Sequence, residues 1–378
     1  MTLRAHMMFW TAMAALFLGL VWALGDVLVP FVIGLAIAYL LDPVMQRLSR
    51  TGMPRAAAAL IILLSFFVVV ITVLGLIIPF AYREAVQLAQ ALPGYAEQAR
   101  VALQPYFETL QTRFGAGDMS SYQDMVQKWL GRVFSVGGDL VGGILSGGQA
   151  LVGMIALCAL TPLVAFFMMV QWEPITRWID GMIPRGSYTV IKDLLHDMNT
   201  KLGGFIRGQL TVSFILGMAY ALALTIAGLN YGFLIGVVTG ILSVIPYVGS
   251  TFGLVTSLGI AWFQTGGDWS YIGIIAAIFL TGQFIEGNFI TPRIMGQAVG
   301  LHPLWILFAL LAGGTLLGLV GMLLAVPVAV IVSVLTRFAV RQYKSSLYYK
   351  DGAAVTPPAT VDVAVDQDDQ PKDGDQPQ

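Results

Sequence analysis

The polar groups that stand out in this sequence lie in one short segment, Gln283-Phe284-Ile285-Glu286-Gly287-Asn288-Phe289-Ile290-Thr291-Pro292-Arg293, at the end of an apolar run over residues 271–288. A carboxylate at membrane depth is costly unless it is paired, protonated or open to a water-filled cavity, so such residues are functional candidates by default. Glu286 and Arg293 are seven residues apart and share one helix face if the helix continues that far; Thr291-Pro292 predicts that it ends between them. Glu286 therefore reads as a proton or cation site, or as a structural partner of Arg293 or another buried donor. The amides of Gln283 and Asn288 can bind a polar solute or tie helices together.

A second group, Pro246-Tyr247-Val248-Gly249-Ser250, interrupts another apolar stretch. Breaks of this kind expose backbone carbonyls and amides near the middle of a membrane, where solutes of secondary transporters bind. A plain kink is the alternative. Arg207 is placed to extend its head to the membrane surface, and Asp26 and Asp42 fit helix-capping positions in turns. The three histidines have no ligand spacing, and the single cysteine, Cys158, excludes an intrachain disulfide. No phosphate-binding loop, nucleophile–base pairing or metalloprotease motif occurs, so no cofactor, metal centre or catalytic site is expected.

These residues are carried by a strongly apolar chain of 378 residues, 57% hydrophobic and 11% charged, with a mean hydropathy of +0.80. A soluble domain carries about 25% charged residues, so the surface of this one must face lipid. Apolar runs near the length of one membrane crossing, about 20 residues, occur at 7–24, 27–41, 56–80, 149–170, 209–227 and 271–288. The first is read as an uncleaved span rather than a signal peptide. Two stretches, 231–263 and 303–336, would each reach about 50 Å as straight helices, against a hydrocarbon core of about 30 Å. Each must fold back or break. The first has Pro246 to Ser250 at its middle; the second has Gly313-Gly314, Gly318 and Pro327. The predicted fold is an all-α polytopic transmembrane protein with two broken or re-entrant helical hairpins. Gly232, Gly236 and Gly240, spaced by four, predict close helix packing.

With the N-terminus inside, fifteen basic residues fall on the inner side and five on the outer, which places both termini in the cytoplasm. Residues 1–80 form N-terminal spans and 149–345 the C-terminal transport region. Between them, 81–148 is a periplasmic amphipathic helical segment with apolar seams at Leu92–Leu110 and Tyr122–Val133. Pro93 suits a helix start there and Pro105 a kink. The seams close either on each other or between subunits. Residues 171–207 predict an amphipathic helix lying on the cytoplasmic surface, with Trp172 and Trp178 at the interface. The tail 346–378, with seven aspartates after Tyr349, predicts disorder.

Ile285 to Gly296, followed by Val299-Gly300-Leu301-His302-Pro303, resembles the autoinducer-2 exporter family of bacterial permeases. Ile245-Pro246-Tyr247-Val248-Gly249 is similar to an earlier signature of that family, and the likeness runs over roughly residues 8–345. The resemblance implies an oligomeric permease, a pentamer, whose paired hairpins move against a scaffold to export a small molecule, classically autoinducer-2. Some similar proteins act instead as sodium/proton antiporters.

The expected function is a secondary transporter that exports a small polar solute such as autoinducer-2 or a similar signalling metabolite across the inner membrane. Glu286, Asn288, Gln283, Arg293, Tyr247, Pro246, Gly249 and Ser250 form its pathway, with proton or sodium coupling as an option. The rivals are a sodium (lithium)/proton antiporter working through Glu286 and a membrane scaffold that docks a partner on 81–148. Nucleic acid is not an expected partner at a net charge of −1.

Overall fold

The structure is a computed structural model, and it describes residues 25–114, 148–296 and 300–346, together with Met13, Gly19, Lys128 and Tyr349. The helices are α1 (Gly25–Ser49), α2 (Arg55–Phe114), α3 (Gly148–Met182), α4 (Tyr188–Ile226), α5 (Gly232–Leu242), α6 (Val248–Thr265), α7 (Trp269–Ile285), α8 (Thr291–Met295) and α9 (Pro303–Ser345). A 3₁₀ turn, Arg185–Ser187, precedes α4, and a π turn, Glu286–Ile290, joins α7 to α8. There is no strand among the described residues. Among the described residues, six helical segments are long and apolar enough to cross a membrane. Along α2, Val68, Ile71, Leu76 and Phe80 are 62–66% exposed, an apolar band of the kind that faces lipid or a neighbouring subunit.

Two bodies of packing organise the molecule. In the first, α1, α2 and α3 close around Ala38, Leu41, Met45, Ala58, Ala59, Ile62, Ala165 and Met169. Three of these are fully buried alanines, which let the helix backbones approach. In the second, α4 packs along α5, and both meet α6 and α7 through Val212, Leu216, Tyr220, Leu224, Ile235, Ile260, Ile275 and Phe279. Arg207 joins the two bodies. Pro43, inside α1, has no N–H to give the carbonyl of Tyr39 four residues back. The Arg207 guanidinium donates to that freed oxygen at 3.2 Å. Asp42 thus lies within α1 rather than at a turn, and it accepts a hydrogen bond from Gln46 at 2.8 Å.

Both overlong stretches fold back. The first breaks at Ser243–Tyr247, with α5 and α6 as its arms. The second reverses inside α9 at Leu317 (φ −132°, ψ 15°) and Gly318 (φ 58°, ψ −134°). Gly318 takes a left-handed φ that glycine adopts without cost. Gly313 and Gly321 face each other across this crossing so closely that a Cβ on either would overlap the other's carbonyl. Pro327 sits inside the returning arm and breaks nothing.

Three local expectations change. Pro93 starts no helix: α2 runs from the apolar run through Pro79, Pro93 and Pro105 as one element of 60 residues, about 90 Å long. Residues 171–207 form no separate surface helix. They continue α3 to Met182, turn at Ile183–Ser187, where Pro184 disfavours helix before it, and enter α4, with Tyr188 donating to Asp180 at 2.8 Å across the corner. Trp172 packs edge-on against Tyr39 and Trp178 is exposed. The helix also does not end at Thr291-Pro292; it passes through them by way of the π turn. The run 7–24, the seam at Tyr122–Val133 and the acidic tail lie outside the described residues, apart from the isolated positions given above.

Candidate functional site

The site is built around α5, a helix of 11 residues and about 16 Å, too short to cross a bilayer. Side chains from other helices satisfy both of its ends. At the start, the Glu84 carboxylate of α2 accepts from the Leu234 N–H at 2.8 Å, placing an anion where the helix dipole is positive. At the end, Gln209 of α4 donates to the Ser243 carbonyl at 2.6 Å, and both residues are buried. The Ser243 hydroxyl donates back to the Thr239 carbonyl at 2.7 Å.

The break itself is a tight turn. Ile245 is buried, Pro246 follows, and Tyr247 caps α6 in the left-handed region (φ 67°). This strained backbone is uncommon for a residue with a side chain, and the Tyr247 ring is exposed. Gly249 is required: a Cβ there would overlap the Ser243 hydroxyl and the Thr239 carbonyl. Ser250 makes only a long contact of 3.4 Å to the Tyr247 carbonyl. Ile245 and Val248 sit in one apolar cluster with Leu310, Ala325 and Val326 of α9, Phe205 of α4 and Met295 of α8. The first break, the second hairpin and the end of the Glu286 segment therefore meet.

In the Glu286 segment, Gln283 donates to the Glu286 carboxylate at 2.9 Å and lies 3.5 Å from the Tyr220 hydroxyl. Asn288 donates to the Phe284 carbonyl at 2.9 Å. Arg293 lies over the Phe289 ring, 5.8 Å from its centroid, and forms no ion pair with Glu286. The π turn explains how Pro292 is accommodated. The Thr291 N–H reaches the Glu286 carbonyl five residues back. The widened turn moves the Asn288 carbonyl away from the proline ring that would clash with it. Pro292 therefore leaves a carboxylate, an amide and an irregular turn side by side. Glu286 and Tyr247 share no hydrogen bond among the described residues.

Downstream, Gly300 (φ 51°) turns the chain, the His302 ring nitrogen Nδ1 accepts from the Leu304 N–H at 3.3 Å, and Pro303 takes the first helical position. The Gly-Leu-His-Pro string is thus the start signal of α9, and Arg337 from the far end of α9 donates to the Gly300 carbonyl. His302 caps a helix and binds nothing else described.

Where α2 passes the start of α5, Glu84, Gln87, Gln90, Asn230 and Tyr231 line an open cleft of about 630 Å³. Gln264 staples its rim, accepting from the Asn230 N–H at 2.8 Å and donating to the Gly228 carbonyl at 2.9 Å. Residue types alone gave little signal for Glu84, Gln209 or Tyr220, because each acts on a helix distant in sequence. A carboxylate in α2 close after an apolar run was the one available hint. Among the described residues no three of His, Cys, Asp and Glu come together as metal ligands.

The chain is 28% identical over 310 residues to YrrI of Bacillus subtilis, named as a candidate transport protein, covering 82% of this chain and 85% of that one. PerM of Escherichia coli K12, named as a candidate permease, is 26% identical over 83% of this chain and 88% of its own length. The AI-2 transport protein TqsA of Escherichia coli K12 is 24% identical over 82% of this chain and 85% of its own. Residues 11–341 match the family described as "AI-2E family transporter", and the chain, a multi-pass helical membrane protein, belongs to that family of transporters.

Proposed function

We propose that this transporter exports a small polar solute, autoinducer-2 or a similar signalling metabolite, across the bacterial inner membrane, with both termini in the cytoplasm. The observation that carries the reading is the short helix α5, held at both ends by Glu84 and Gln209 and ending in a strained break at Tyr247. Broken helices of this kind line the solute sites of secondary transporters, and here the exposed Tyr247 ring stands at the break. The name of TqsA supports autoinducer-2 as cargo. In this reading the solute passes Tyr247, Pro246, Gly249 and Ser250 at the break and Gln283, Glu286, Asn288 and Arg293 beside it. Residues 81–148 form the periplasmic segment, of which the described part continues α2 outward. The working unit is a homo-oligomer, a pentamer, that rests on the family resemblance.

Everted membrane vesicles test the cargo directly. Vesicles containing the protein accumulate autoinducer-2 faster than vesicles without it, and equal rates would refute the reading. One observation favours a second reading, cation/proton antiport: the Glu286 carboxylate has an amide for its partner and no basic side chain in ion-pair reach among the described residues. In that case sodium or lithium dequenches a pH dye in the same vesicles, and Glu286→Gln abolishes the response. No response to either ion removes antiport.

A further inference from the structure

The two arms of the first hairpin, α5 and α6, meet along a line of small residues. Gly249 lies against Ser243 and Gly253 against Thr239, whose side-chain oxygen faces the Gly253 backbone. Ser257 follows one turn further along the same face of α6. Thr239 and Ser257 are both 0% exposed, and neither hydroxyl has a hydrogen-bond partner. Ser213, on the opposite side of α5, is 4% exposed and equally unpartnered. A serine or threonine in a helix ordinarily satisfies its hydroxyl on the carbonyl one turn back, as Ser243 does. Buried polar groups are nearly always paired, and each exception calls for a reason.

The seam also has an apolar wall. Phe279 reaches the same point at Gly253 that Thr239 does, and its ring stacks on Tyr220 with centroids 4.6 Å apart. From Tyr220 the line continues through Gln283 to Glu286. Neither α5 nor α6 contains an acidic or basic residue, so an ion lodged between them finds no countercharge. A few polar groups beside an aromatic wall is the usual make-up of a site for an uncharged small molecule.

We propose that the α5–α6 seam is a binding site for a small neutral hydroxylated solute, with the Thr239 and Ser257 hydroxyls as its hydrogen-bonding groups and the Phe279–Tyr220 pair as its apolar wall. The site is closed in this structure, because Gly249 and Gly253 leave no room for even a methyl group. It opens when the arms part, and the unpaired hydroxyls then gain partners from the solute. This deepens the export reading and rests on it, by naming the residues that hold the cargo between the break and Glu286.

Two measurements test it. The shape-preserving variants Thr239→Val and Ser257→Ala raise the half-saturation concentration for autoinducer-2 in everted vesicles by about 2- to 10-fold each, the size of one neutral hydrogen bond. Their thermal stability stays equal to wild type or rises, since each removes an unpaired buried group; a purely structural hydroxyl would do the opposite. Unchanged transport in both variants overturns the proposal. In the second measurement Cys158 is replaced by serine and a thiol is introduced by Thr239→Cys or Ser257→Cys in liposomes. A small water-soluble methanethiosulfonate labels these thiols, and saturating autoinducer-2 or D-ribose slows the labelling by about 3-fold or more. Thiols that stay inert from both sides, while Tyr247→Cys reacts, overturn the proposal. If wild type moves no autoinducer-2 but the seam thiols react and D-ribose protects them, the cargo reading fails and the seam stands.

Discussion

The crossing of α4 and α5 is tight enough for one methyl group to decide whether it holds. A Cβ built at Gly217 would lie 2.8 Å from the Cα of Gly240, whereas carbon atoms in contact rest at about 3.5–4.0 Å. Gly217→Ala therefore forces the two helices apart by about 1 Å, and overpacking of this kind costs about 1–3 kcal/mol. Gly259 on α6 is the internal control, because a Cβ there meets nothing within 4 Å. Gly259→Ala makes the same chemical change without a clash, and it gains about 0.5–1 kcal/mol from the lower backbone entropy of alanine. The assay is thermal unfolding of purified protein in one detergent. Gly217→Ala melts a few degrees below wild type and Gly259→Ala at or slightly above it. Transport rates follow, since a crossing that no longer closes cannot return to the state described here. If both variants melt together, the close α4–α5 approach is not a feature of the folded protein, and the reasoning from it fails.

Other perturbations probe the remaining supports. Gln209→Leu strands the Ser243 carbonyl in an apolar setting and should cost about 1–3 kcal/mol, read as a lower melting temperature. Arg207→Met removes the donor that replaces the missing N–H of Pro43, with a loss of similar size, about 1–3 kcal/mol; in the double variant with Pro43→Ala the loss should shrink, as measured by a double-mutant cycle. Glu84→Ala removes the cap on α5 and should cost about 0.5–2 kcal/mol, with amide exchange at Phe233 and Leu234 faster than in wild type. Pro292→Ala lets the π turn relax to an α turn, so the melting temperature should hold or rise.

The pattern of apolar runs was enough to recognise the class of the molecule, because lipid imposes a length on every span and 231–263 and 303–336 exceed it. That excess also located both hairpins. The exact reversal in α9 was less legible: Gly313-Gly314, Gly318 and Pro327 were equally plausible breakers, and only the crossing of Gly313 with Gly321 leaves Gly318 at the apex. Thr291-Pro292 misled for a different reason. Proline cannot continue an ordinary α turn, but it fits a π turn, and no sequence period announces one. Asp42 misled because Pro43 reads as a turn signal, while the donor that keeps α1 intact, Arg207, is 165 residues away from Asp42 in the sequence. At the site, Glu286, Gln283 and Tyr247 stand out by composition alone. Gln209, Glu84, Thr239 and Ser257 do not, because a small polar residue in an apolar helix gains its meaning only from what lies across the interface.

The brevity of α5 carries an electrical consequence. From the open cleft at Glu84 to the turn at Ser243–Tyr247 the chain advances by 11 helical residues, about 16 Å, roughly half of a 30 Å dielectric slab. On the export route proposed above, a passenger waiting at the turn has crossed about half of the voltage drop. For a unit charge that is about 1.2 kcal/mol at 100 mV, or roughly an eightfold bias in occupancy, and for an uncharged one it is nothing. Occupancy of the turn that ignores an imposed potential therefore marks a neutral passenger, whereas occupancy that changes severalfold per 100 mV marks a charged one.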